Sequence, residues 1–101
     1  MMVMTIKGTP AVYIMANRKH GTLYTGVTSA LVQRVHQHKL SATGGFTSRY
    51  GCRLLVYFEV HADMRSAIAR EKQIKAGSRR NKIELIEGSN PDWRDLYDEI
   101  V

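Results

Sequence analysis

Acidic residues are scarce in this 101-residue chain: nine Asp and Glu stand against fifteen Lys and Arg, a formal net charge of +6. That balance disfavours a large cationic partner and points to a polyanion, nucleic acid first. Cysteine is nearly absent. Cys52 alone cannot close an internal disulfide and brings no second thiol to a zinc cluster, so a reducing compartment is expected, the cytoplasm by default. Two prolines and eight glycines are too few for a fibrous or disordered chain. No hydrophobic run approaches the roughly 20 residues of a membrane span. The opening MMVMTIKGTP lacks the basic start, long apolar stretch and cleavage site of a secretion signal, so neither secretion nor a membrane is expected.

What is present reads as one globular domain, expected over residues 11–98 after an N-terminal extension of residues 1–10. AVYIMA, Ala11 to Ala16, is a short apolar run ended by the polar cluster Asn17 to Gly21, which predicts a strand and a hairpin turn. TLYTGV is the return strand. A loop over Asn17 to His20 would set Tyr13 directly against Tyr24, and a bulge at Gly21 would shift that register by one. The chain then turns tightly at Gly26, and Thr28 or Ser29 caps a helix reaching about Leu40. RLLVYFEV, Arg53 to Val60, is apolar enough for a central strand buried on both faces. Asp63 is a candidate cap for a helix over Met64 to Ala76, with Gly77 as its left-handed stop, and Ser78 a cap for a shorter helix through Ile86. Trp93, Leu96 and Tyr97 can dock a final helical turn. The order β-β-α-β-α-α predicts an α+β fold, a small three-stranded, mostly antiparallel sheet flanked by helices.

Both longer helices carry polar residues on their apolar stripes. In the first, Leu31 and Val35 share the i, i+3, i+4, i+7 ladder with Arg34 and His38; in the second, Glu71 stands between Ala67, Ile68 and Ile74. An unpaired charge in a core costs several kcal/mol, a large share of a domain's 5–15 kcal/mol of stability, so such groups face a cleft or each other. Two structures satisfy that condition: a functional site, or an Arg34–Glu71 ion pair that fixes the helices. Tyr13 and Tyr24 suit strand packing, yet two phenols on adjacent strands beside Arg34 and His38 in a basic chain also suit catalysis.

VYI at Val12 to Ile14, YTG at Tyr24 to Gly26, Arg34, His38, Glu71 and the later AIAREKQIKAGSRRNKIELI and NPDWRDL segments together resemble the GIY-YIG nuclease domain, above all its small stand-alone bacterial members. The departures are Val12 and Thr25, where the name-giving motifs carry Ile. The family's late Asn has two candidates, Asn81 and Asn90. The resemblance implies a metal-dependent DNA endonuclease, using Mg²⁺ or Mn²⁺ held by Glu71, in DNA repair, recombination or turnover. A non-catalytic nucleic-acid-binding module on the same fold is the alternative. One carboxylate suffices to hold Mg²⁺ when water and phosphate complete its octahedron. Arg34 offers a planar fork to the scissile phosphate. Tyr13 or Tyr24 would be the base, with His38 orienting a phenol or relaying its proton. Gly26 would let the backbone approach DNA, while Lys39, Arg49, Lys75 and Asn90 are further candidates for contacting it. Arg18, Lys19, Lys72, Arg79, Arg80 and Lys82 could track its phosphates. No base-reading module is visible, so sequence preference should be poor and targeting would fall to a partner protein.

Overall fold

The computed structural model of the protein describes residues 8–40 and 51–101. Within them run β1 (Ala11–Ala16), β2 (Leu23–Thr28), α1 (Leu31–Leu40), β3 (Leu54–Val60), α2 (Met64–Ala76), α3 (Arg79–Ser89) and a last turn, α4 (Tyr97–Ile100). The strands form one antiparallel sheet in the order β2-β1-β3. This is the expected α+β architecture and element order.

One strand is misplaced by the sequence pattern. β3 lies at an edge, and β1 is central, with all six of its residues buried. β3 imitates a central strand because apolar layers cover both its faces and the C-terminal segment covers its outer side. The Leu96 N–H donates to the Leu55 carbonyl at 2.7 Å, and Asp95 Oδ1 accepts from the Leu55 N–H at 3.1 Å. The β1–β3 register shifts between Ile14, which pairs with Tyr57, and Met15, which pairs with Leu55, so Val56 is bulged out of the ladder. Its carbonyl accepts from the Asn90 amide at 3.1 Å, relieving a buried group that would otherwise cost about 1–3 kcal/mol.

The β1–β2 loop comprises Arg18 to Gly21, one residue later than expected. Asn17 closes it: its N–H donates to the Thr22 carbonyl at 3.3 Å, and its Oδ1 accepts from the Thr22 N–H at 2.8 Å. A Cβ at Gly21 would lie 2.0 Å from that same Oδ1, so only glycine fits there. Tyr13 consequently pairs with Gly26, and Tyr24 with Met15, instead of the two tyrosines facing each other. The displacement is by two residues, so both phenols keep the same face of the sheet.

Helix starts follow the sequence. Asp63 Oδ1 accepts from the Ser66 N–H at 2.7 Å and Ser78 Oγ from the Asn81 N–H at 3.1 Å, caps contributing about 1 kcal/mol each. Thr28 Oγ1 takes the Ala30 N–H at 3.0 Å just before α1. Gly77 departs from expectation: at φ −75°, ψ 166° it is extended, because it leads straight into the extended cap Ser78. Two apolar layers result. Tyr13, Met15 and Leu55 pack with Leu31 and Val35 of α1 on one face; Val12, Ile14 and Val56 pack with Ala67, Ile74 and Ile86 of α2 and α3 on the other. The outer side of β2 is the sheet's open edge.

Candidate active site

Tyr13 belongs to the middle strand, yet its ring reaches across β2. A Cβ built at Gly26 would sit 2.6 Å from both Cζ and Oη of Tyr13 and 2.9 Å from Cε1. The phenol therefore occupies the volume a side chain at position 26 would need. This changes the expected role of Gly26: β2 runs through it without a turn, and its missing side chain makes room for Tyr13.

Three rings gather above that gap. Tyr13 and Tyr24 have centroids 6.2 Å apart, Tyr13 and His38 5.7 Å, and Tyr24 and His38 5.4 Å. Tyr13 Oη and His38 Nε2 are 3.0 Å apart. α1 delivers His38 because Leu31, Val35 and His38 form its buried stripe. Arg34 does not share that stripe as expected; it stands on its shoulder, exposed to solvent, with its charge still acting on the Tyr13 phenol. An exposed guanidinium next to a buried phenol is a cleft arrangement, not a core one.

Electrostatics set the protonation of the cluster. Burial, then the neighbouring Tyr24, pushes the Tyr13 phenol well above the usual tyrosine range, against the opposing charge and hydrogen bond of Arg34. Burial, and after it the Arg34 charge, depresses His38, so its imidazole is neutral at neutral pH. With both groups neutral, a Tyr13 hydroxyl can donate to His38 Nε2.

Glu71 lies elsewhere. α2 packs against β1 and β2 on the opposite face of the sheet from α1. The ion pair of Glu71 is with Lys75 Nζ, 2.9 Å away, and no Arg34–Glu71 pair forms among the described residues. The Glu71 side chain is 13% exposed and that of Lys75 52%. Tyr24 from the one half and Lys75, the partner of Glu71, from the other both line a cleft of about 320 Å³ at the open edge of β2, together with Leu23, Thr25 and Lys82. Alternation along β2 from Tyr24 was the signal that could have placed Leu23 and Thr25 on the α2 side of this cleft.

No group of three or more His, Cys, Asp or Glu is assembled among the described residues. Glu71 is thus a single hard oxygen donor, largely buried and opposed only by an exposed lysine. That donor set fits a divalent cation that keeps most of its water and takes phosphate oxygens, and does not fit a cation caged wholly by protein.

Two further candidates, Lys39 and Asn90, are held within the fold. Lys39 Nζ bonds to the Asp95 carboxylate and to the Arg53 carbonyl at 3.0 Å, and lies 5.1 Å from the centre of the Tyr97 ring. Asn90, 1% exposed, caps α3, donates to the carbonyls of Val56 and Arg94, and accepts from the Arg94 N–H. Asn81 is exposed near the start of α3. Arg49 lies outside the described residues.

A three-stranded sheet whose first two strands bring two phenols together beside an arginine and a histidine defines a class, and a family model confirms it: residues 9–84 match the GIY-YIG catalytic domain. The chain belongs to that family, a domain of nuclease type. It is 36% identical over 78 residues to the UPF0213 protein DP2720 of Desulfotalea psychrophila, covering 76% of this chain and 71% of that one. It is 39% identical over 75 residues to the UPF0213 protein CPE1444 of Clostridium perfringens, covering 74% and 80%. Its fold is similar to the solution NMR structure of the UPF0213 protein BH0048 from Bacillus halodurans, with a TM-score of 0.54, 26% identity and coverage of 87% and 93%. No helix among the described residues is long and apolar enough to cross a membrane.

Proposed function

We propose that this chain is a metal-dependent endonuclease that hydrolyses DNA phosphodiester bonds with little sequence preference, acting in the cytoplasm in DNA repair, recombination or turnover. Residues 11–98 form its catalytic unit. One observation carries the proposal: Tyr13 and His38, both buried, gather with half-buried Tyr24 and exposed Arg34 on one side of the open β2 edge, and the carboxylate Glu71 stands on the helix packed beneath the same strand.

Each residue then has a task. Arg34, exposed beside the phenols, clamps the scissile phosphate through its planar fork and offsets the charge that builds on it in the transition state. Tyr24, half-buried and lining the edge cleft, is placed to touch the attacking water, whereas Tyr13 is sealed from solvent. We assign Tyr24 as the proton acceptor. As Tyr24 takes the proton of the attacking water it gives up its own hydroxyl proton to Tyr13, which in turn donates its hydroxyl proton to His38 Nε2; the depressed pKa of His38 leaves that nitrogen unprotonated beforehand, and the imidazole ends the step protonated. Glu71 would hold Mg²⁺ or Mn²⁺, and when bound the ion stabilises negative charge on the phosphate and leaving oxygens. Lys75 would give up its bond to Glu71 and turn to the phosphate backbone. Targeting would come from a partner protein.

The test is to incubate the purified protein with supercoiled plasmid in Mg²⁺, in Mn²⁺ and in EDTA. Nicking in either metal and none in EDTA is expected. Salt-sensitive binding with no nicking in any condition would instead identify a non-catalytic nucleic-acid-binding module.

A further inference from the structure

A second, larger cleft of about 520 Å³ opens between the β1–β2 loop and the start of α3, and Arg18, Arg79 and Lys82 line it together with His20, Thr22 and Leu23. No Asp or Glu is among its lining residues. Two of its cations are held by neutral partners. Arg79 donates through Nη2 to the carbonyls of His20 and Gly21, at 2.8 and 2.7 Å, and Lys82 Nζ to the carbonyls of Gly77 and Lys75, at 2.7 and 3.4 Å. The Arg18 side chain has no hydrogen bond or ion pair among the described residues. Glu87, the acidic group recorded against the loop, is already engaged by His20 at 3.3 Å and by the Trp93 Nε1–H at 2.8 Å.

The placement is unfavourable without a ligand. Arg79 and Arg80 open α3, Lys82 follows within a turn, and no acidic residue stands in that first turn. Cations there oppose the positive end of the helix dipole and one another. An anion would remove both penalties and find a guanidinium already fixed in place, with Nε and Nη1 carrying no hydrogen bond among the described residues. The cleft also adjoins the edge cleft that Tyr24 lines, because Leu23 and Lys82 line both.

We propose that the DNA strand carrying the scissile phosphate runs along the open edge of β2 and seats a second phosphate on Arg18, Arg79 and Lys82. This rests on the assignment of the chain as a DNA-cleaving enzyme and adds the path of the substrate. At about 3.3 Å per strand residue, the distance from Tyr24 to Gly21 and Thr22 is roughly 7–10 Å, within reach of a neighbouring phosphate of the same DNA strand.

The experiment measures binding of a fluorescein-labelled single-stranded 12-mer to the full chain in EDTA, from low to moderate salt. Wild type is compared with Arg18→Gln, with the Arg18→Gln/Arg79→Gln/Lys82→Gln triple variant, and with Arg65→Gln, on the exposed surface of α2, as a control. Loss of one phosphate contact should reduce the slope of log K against log salt by ~0.7, so the triple variant should lose ~0.7 and bind about fivefold more weakly at 0.1 M salt. Arg18→Gln, which removes no side-chain bond within the fold, should lose part of that ~0.7 and bind more weakly even if the triple variant folds poorly. Slopes equal to that of wild type in both variants overturn the subsite. A full wild-type slope without cleavage in Mg²⁺ or Mn²⁺ rejects the hydrolytic assignment alone, and cleavage with unchanged slopes rejects the subsite alone.

Discussion

Replacing Gly26 by alanine tests the geometry that brings Tyr13 to the edge of the sheet. The added methyl would meet Tyr13 Cζ and Oη at 2.6 Å, well inside any van der Waals contact. Tyr13 is fully buried, with His38 and Tyr24 against its ring, so it has no free direction in which to retreat. Overpacking of this kind costs about 1–3 kcal/mol, while replacing a strand glycine by alanine returns about 0.5–1 kcal/mol of chain entropy. The net loss of about 1–2 kcal/mol corresponds to a melting temperature lower by roughly 5–15 °C for a domain of this size. Circular-dichroism melts at pH 7.5 read that shift, and plasmid nicking below the transition reads the displacement of the phenol. Tyr13→Phe does not rescue, because the clash includes ring carbon Cζ. A melting temperature equal to or above that of wild type, with nicking intact, would show that the ring does not cross β2.

Arg34→Lys should leave the melting temperature within about 2–4 °C, because the side chain is exposed, and should slow cleavage by about 10²–10³, the usual loss when one preorganised charge donor is removed. Equal cleavage rates would remove the phosphate clamp. His38 is harder to protonate in the folded chain than in the unfolded one, so its stabilising contribution is complete above the unfolded value of about 6.5 and is lost as pH falls through that value toward the folded pKa. Melts between pH 7.5 and 5 should therefore fall more steeply for wild type than for His38→Gln; parallel curves would contradict this. Asn90→Ala should destabilise by about 1–3 kcal/mol, since the Val56 carbonyl at the bulge is left unpaired. Weaker DNA binding at unchanged urea midpoint would instead give Asn90 a substrate-binding role.

The sequence carried the elements and the identity of the clustered side chains, because both depend on local patterns. A short apolar run ended by a polar cluster marked AVYIMA, TLYTGV followed as its return strand, and capping chemistry marked Asp63 and Ser78. The Tyr13–Tyr24 register escaped because the Asn17 side chain, not loop composition, decides where the hairpin closes. β3 was read as central because burial does not reveal what covers a strand, and here the C-terminal segment takes the place of a neighbouring strand. The relation of Arg34 to Glu71 was the least legible. Helical periodicity gives the direction of a side chain around its own axis and says nothing about which face of the sheet the helix packs on, so α1 and α2 could not be told to lie on opposite faces. The basic cleft was visible only as scattered Arg and Lys until the hairpin loop was folded onto α3.

The claim on which the functional account stands is that Arg34 and Glu71, held on opposite faces of the sheet, act on one phosphate around the edge of β2. Single-turnover cleavage by Arg34→Lys, Glu71→Gln and the double variant measures this directly. Residues serving one transition state are strongly non-additive, so the double variant should be no slower than the slower single variant. Losses that multiply, or a Glu71→Gln variant that cleaves in Mg²⁺ as fast as wild type, would contradict it.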